Sequence, residues 1–205
     1  MAHARIETVD YEKMAKDAEK MRARGKDLNT EITSAYTSLR EMKKSWHGIR
    51  YNELVKAFNK IIPSLDQLLT LVVTELPYAL ECFASNYAVT DRGKGIPSSR
   101  LPAKKLPAVE LSNEVGLRFM ANDVRAIKQS ISKNFDMAKK DMDDIERIYK
   151  QINWKSEAAD EFRTKFTKLK ASIVESFNDI EKKFSNLMQL ALKDMETSER
   201  LNTLK

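Results

Sequence analysis

The sequence predicts an all-α protein: two tandem long helical hairpins pairing into an antiparallel four-helix bundle. Three observations lead there. Only five Gly and five Pro occur in 205 residues, too few for the many turns of a sandwich or barrel. Apolar residues recur at alternating steps of four and three over long stretches. The back half repeats the front, because a shift of 108 residues lays Trp46 on Trp154, Phe58 on Phe166, Leu65 on Ile173, Leu76 on Phe184 and Leu80 on Met188.

The first seam runs through Met14, Ala18, Met21, Gly25, Leu28, Ile32, Ala35, Leu39, Met42 and Trp46, and predicts a helix of about 35 residues. After Trp46-His47-Gly48 a second stripe begins at Tyr51 and passes through Phe58, Leu65, Leu68, Val72, Leu76, Ala79 and Phe83 to Tyr87. Leu69, Val73 and Leu80 widen it, so this helix faces more than one neighbour. Pro63 and Pro77 fall inside the stripe, and kinks are expected there rather than ends, because the pattern continues in phase. In the second half Ile131, Phe135, Ala138, Met142, Ile145, Tyr149 and Ile152 form the seam, extended backwards by Leu117, Val124 and Ile127. Beyond Trp154-Lys155-Ser156 the last stripe runs from Phe162 to Ala191.

Charge divides the chain further. Residues 1–91 hold thirteen basic and thirteen acidic side chains, and residues 112–205 hold eighteen and sixteen. Residues 92–111 hold Arg92, Lys94, Arg100, Lys104 and Lys105 against Glu110 alone, with three of the five prolines. The expected organisation is a first hairpin over 1–91, a basic, exposed, extended linker over 92–111, and a second hairpin over 112–205. Twenty extended residues reach about 62–70 Å, enough to run the length of a helix of about 60 Å. Antiparallel hairpins require such a path.

Each hairpin bend carries a tryptophan two residues before a small residue: Trp46 with Gly48, and Trp154 with Ser156. A glycine supplies a positive φ at the bend, and an indole can cap the core beside it. The first half ends on Tyr87-Ala88-Val89-Thr90-Asp91, and 108 residues on stand Met195 and Glu199. With Trp-x-Gly at a bend and Tyr-x-x-x-Asp/Glu at the end of the second helix, the chain resembles the WXG family, helical hairpins exported by type VII secretion systems. The resemblance covers two tandem copies, about residues 5–91 and 112–200. It implies export without a cleaved signal peptide, the secretion machinery as partner, and a two-part signal in which the tail of one hairpin lies beside the bend of the other. The export-signal candidates are then Tyr87 and Asp91, with Met195 and Glu199 as a degraded second tail. The second copy also has Ser156 where the family has glycine. A further partner would be another helical protein, or a second copy in a swapped dimer.

Other classes fit less well. The two histidines, His3 and His47, sit in no nucleophile or metal constellation, so neither an enzyme nor a cofactor or metal site is expected. Asp141, Asp143 and Asp144 read as a solvated helix face, and Gly93-Lys94-Gly95 lacks the context of a phosphate loop. Cys82 reads as a small hydrophobe in its stripe. No aromatic lies between Arg92 and Lys105 to stack on bases, so nucleic acid is not expected as a partner. No run of about eighteen uncharged apolar residues predicts a membrane span. An intracellular helical adaptor or chaperone is the main alternative, and a membrane-active helical toxin is a third class.

Overall fold

The computed structural model describes residues 10–154 and 156–203; His3 and Lys155 lie outside them. The fold is all-α. Helix α1 spans Tyr11–Met42 and opens on Asp10, whose side chain accepts a hydrogen bond from the Lys13 N–H at 2.8 Å. Helix α2 (Ile49–Arg92) is one 44-residue helix, and Gly93 closes it in the left-handed conformation with φ 69°. Helices α3 (Ala121–Gln151) and α4 (Glu157–Thr203) form the second hairpin. Both tryptophans fall in the connections between helices. Helix α1 packs against α3 and the C-terminal part of α2, while the N-terminal part of α2 packs against α4. Through the centre one ring from each helix meets the next. Tyr36 meets Phe58 at 5.5 Å, Phe58 meets Phe135 at 5.8 Å, and Phe135 stacks on Phe177 at 4.1 Å.

Neither proline ends α2. Pro63 lies within regular helix, but before Pro77 the backbone widens into a π-helix over Thr70–Glu75. Pro77 has no N–H and its ring would clash with the Val73 carbonyl in a regular helix. Widening relieves this, and the Leu76 N–H bonds to the Leu71 carbonyl, five residues back. The extra residue shifts the buried face by one. The stripe expected at Ala79, Phe83 and Tyr87 is replaced by Leu80, Ala84 and Ala88, all at 0% exposure, while Tyr87 turns outward at 41%. The widened turn needs room on α1, and Gly25 supplies it. A Cβ at position 25 would lie 2.9 Å from Val73 Cγ2 and 3.2 Å from the Val72 carbonyl oxygen. Gly25→Ala is therefore expected to lower stability by about 1–3 kcal/mol in urea melts, against the helix propensity that favours alanine. An unchanged or raised midpoint would show that the contact is slack.

The connector departs from its expected form. Residues 93–117 form no regular helix or strand, α3 starts only at Ala121, and Leu117 lies outside the helix. The connector's cations are exposed, but it is no free linker: Leu106, Val109 and Ser112 are buried in the groove between α1 and α2. Its last residues pair as a short strand, β2 (Arg118–Phe119), antiparallel to β1 (Trp46–His47), with Trp46 opposite Phe119. Among the described residues the second hairpin has no such strap. There, lysines bridge the two helices directly: Lys170 to Asp143 at 2.6 Å and to Glu146, and Lys139 to Glu181 at 3.9 Å. By length and composition α2 is apolar enough to cross a membrane, its most apolar window having a mean hydropathy of 1.3; 61% of that window is buried within the protein.

Candidate functional site

Each bend has residues of the other hairpin's second helix beside it. At the first bend Gly48 adopts φ 110°, ψ −170° as it opens α2, a conformation that strains any side chain. Trp46 beside it is fully buried. Its ring stacks on Phe184 of α4 at 5.9 Å and meets Phe119 and Tyr51 edge-on at 5.3 and 6.4 Å. His47 is also buried, and its Nδ1 lies 2.8 Å from Glu114 Oε2 without the alignment of a hydrogen bond. The second tail comes close by: Arg50 Nε reaches Asp194 at 3.2 Å. Met195 is half-buried and Glu199 exposed on the following turn.

The second bend is built differently. Ser156 stands in for glycine by capping α4, its Oγ accepting the Ala159 N–H at 3.1 Å. Trp154 is 5% exposed and packs on Phe83 at 5.4 Å and Phe162 at 5.9 Å. Leu76 and Leu80 line a crevice with it. Leu76 thus occupies beside Trp154 the place that Phe184, its counterpart 108 residues on, takes beside Trp46. Phe83 then leads to Tyr87 at 6.2 Å, so the first tail lies beside the second bend. Asp91 is exposed and accepts a hydrogen bond from the Tyr11 hydroxyl at 2.6 Å. That bond to a carboxylate holds the tyrosine above its usual pKa. Arg92 covers the Tyr11 ring at 5.5 Å and reaches Glu12 at 3.4 Å.

Both indoles are core residues and, among the described residues, neither indole N–H has a partner; of the candidates, Tyr87, Asp91 and Glu199 are exposed. Sequence patterning hid this for Tyr87, because its exposure follows from the π-turn and not from the stripe.

The acidic run on α3 is corrected in part: Asp143 is exposed as expected, but Asp141 and Asp144 are not. Asp141 is 7% exposed, not solvated. Arg24 of α1 approaches Asp141 and Asp144 at 3.7 Å each and Asp27 at 3.3 Å. Burial, then repulsion from Asp27, pushes the Asp141 carboxyl up to about 6, with Arg24 opposing and Glu31 and Asp144 adding. A carboxyl whose folded pKa lies above its unfolded value binds a proton more readily in the native state. Stability should therefore rise as pH falls from 7 through 6 towards 4. Asp141→Asn should raise the melting temperature at pH 7 and flatten that part of the profile. Parallel profiles for parent and variant would refute the assignment.

No protein family, no curated protein and no solved structure matches the chain.

Proposed function

We propose that the chain is a non-enzymatic, WXG-like substrate or accessory protein of a bacterial type VII secretion system. In this reading it is exported without a cleaved signal peptide, acts by helix-to-helix binding, and has its two hairpins paired as an antiparallel four-helix bundle. The observation that carries the reading is the meeting of an exposed Tyr87/Asp91 tail with the Trp154 bend through Phe83. The pairing of Trp46 with Phe184 at the other end supports the antiparallel arrangement. The secretion machinery is the partner this reading requires, with Tyr87 and Asp91 as the surface it engages.

Replacing Tyr87 and Asp91 by alanine should reduce the protein in culture supernatant at least tenfold while the folded protein accumulates in cells. Tyr11→Phe is the control, since it removes the internal hydrogen bond and leaves the carboxylate, and it should be exported normally. Undiminished secretion of the Tyr87/Asp91 variant would end the proposal. An intracellular adaptor or chaperone is the second reading, favoured by the engagement of Asp91 with Tyr11, which gives that acid a structural task. Finding the protein outside cells with its N-terminus intact separates the two.

A further inference from the structure

The connector is held by a ladder of side chains that bond its main chain. Asn52 donates to the Ser112 carbonyl at 3.0 Å and accepts the Ser112 N–H at 2.8 Å. Asn59 does the same for Val109 at 2.8 and 3.0 Å, and Asp66 accepts the Leu106 N–H at 3.0 Å. Further along, the Thr74 hydroxyl donates to the Leu101 carbonyl at 2.6 Å, and Glu81 accepts the Ser99 N–H at 2.7 Å.

The spacing has a simple origin. The rungs Asn52, Asn59 and Asp66 recur every seven residues along a helix, about 10.5 Å at 1.5 Å per residue. Their partners recur every three residues along an extended chain, about 9–10 Å. The two periods match, so each heptad meets the same backbone position of the strap. On the helix, Thr74 and Glu81 follow with one residue added, which the π-turn over Thr70–Glu75 supplies, but their partners Leu101 and Ser99 leave the three-residue period of the strap. An asparagine that donates and accepts at one residue imitates a neighbouring strand. Pro97, Pro102 and Pro107 all avoid the positions whose N–H is used. Only two large apolar side chains of the strap, Leu106 and Val109, are buried. Gly93 and Gly116, at its ends, have positive φ and nothing within 4 Å of where a Cβ would be.

We propose that the α1–α2 groove is a binding site for extended polypeptide, read through its main chain at three rungs spaced three residues apart, which the strap fills in cis. The partner it fits is an extended segment with apolar side chains on two successive rungs and an N–H free at each rung. Such a segment displaces the strap. This is independent of the export reading.

The probe is a fluorescent synthetic peptide of residues 96–112, titrated into the full chain and into a Leu106→Asp, Val109→Asp variant whose strap is released. The peptide should bind the released variant at least tenfold more tightly than the parent. Adding Asn59→Ala should weaken it about tenfold. A peptide N-methylated at the Leu106, Val109 and Ser112 amides should not bind. Absence of binding by a released variant of parental helicity would overturn the proposal, as would equal binding of the N-methylated peptide. Should the released variant fail to fold, hydrogen exchange on the parent decides. Rung amides opening together ahead of the helices would support a vacatable groove, and opening only with the helices would overturn it.

Discussion

Trp46→Ala is expected to cost about 3–5 kcal/mol, the range for truncating a fully buried large aromatic. The indole holds three separate parts of the chain at once: Tyr51 in α2, Phe119 in β2 and Phe184 in α4. Its loss leaves a cavity at a bend whose backbone is already constrained by Gly48 and by pairing with Phe119, so collapse around the hole is limited. Trp154→Ala should cost less, because that ring is slightly less buried, at 5% exposure against 0% for Trp46, and its neighbours leave a crevice. Urea denaturation followed by circular dichroism would rank the two. A smaller loss for Trp46 than for Trp154 would contradict the packing argument.

Glu81→Leu should be comparably damaging, for an electrostatic reason. Arg22 and Glu81 form an ion pair at 2.6 Å, with side chains 10% and 7% exposed. Removing one partner of a buried pair leaves a bare charge and typically costs about 3–5 kcal/mol. Glu81 also receives the Ser99 N–H, and Arg22 donates to the Ser99 carbonyl at 2.9 Å, so the strap loses an anchor as well. Adding Arg22→Leu removes the stranded guanidinium and should recover part of the loss. A double variant no more stable than Glu81→Leu alone would show that the pair is not what the single change breaks.

How much of this was legible in the sequence differs by element. The first seam was readable because a four-three pattern survives in an unbroken helix: every residue from Met14 to Met42 on it is buried. The second failed beyond Leu76, since one π-turn moves the later side chains by about 100° while leaving the residue spacing untouched. The strap was read as an exposed linker from its proline and lysine content. Its signal lay elsewhere, in Asn52, Asn59 and Asp66, a polar heptad running beside an apolar stripe with no solvent role of its own. Strand β2 is two residues long and carries no periodicity. Gly25 was counted as a seam member, and its absence of a side chain was the clue to the close approach of α2. Of the candidate site, the placing of both tryptophans at bends was visible from the duplication, whereas the exposure of Tyr87 was not.

The strap has a consequence for biosynthesis. Its anchors lie on α1, the first bend and α2, and it precedes the second hairpin in the chain. By the time Met120 leaves the ribosome, every group needed to close the outer flank of the first copy and to cover the Trp46 bend from that side has been made. Only the inner flank then waits for α3 and α4. Domains commonly fold in order of emergence, so a nascent chain arrested just after Met120 should already resist proteolysis along α2, and a chain arrested at Gly95 should not. Equal sensitivity of the two would mean that the first copy gains nothing from its strap until synthesis is complete.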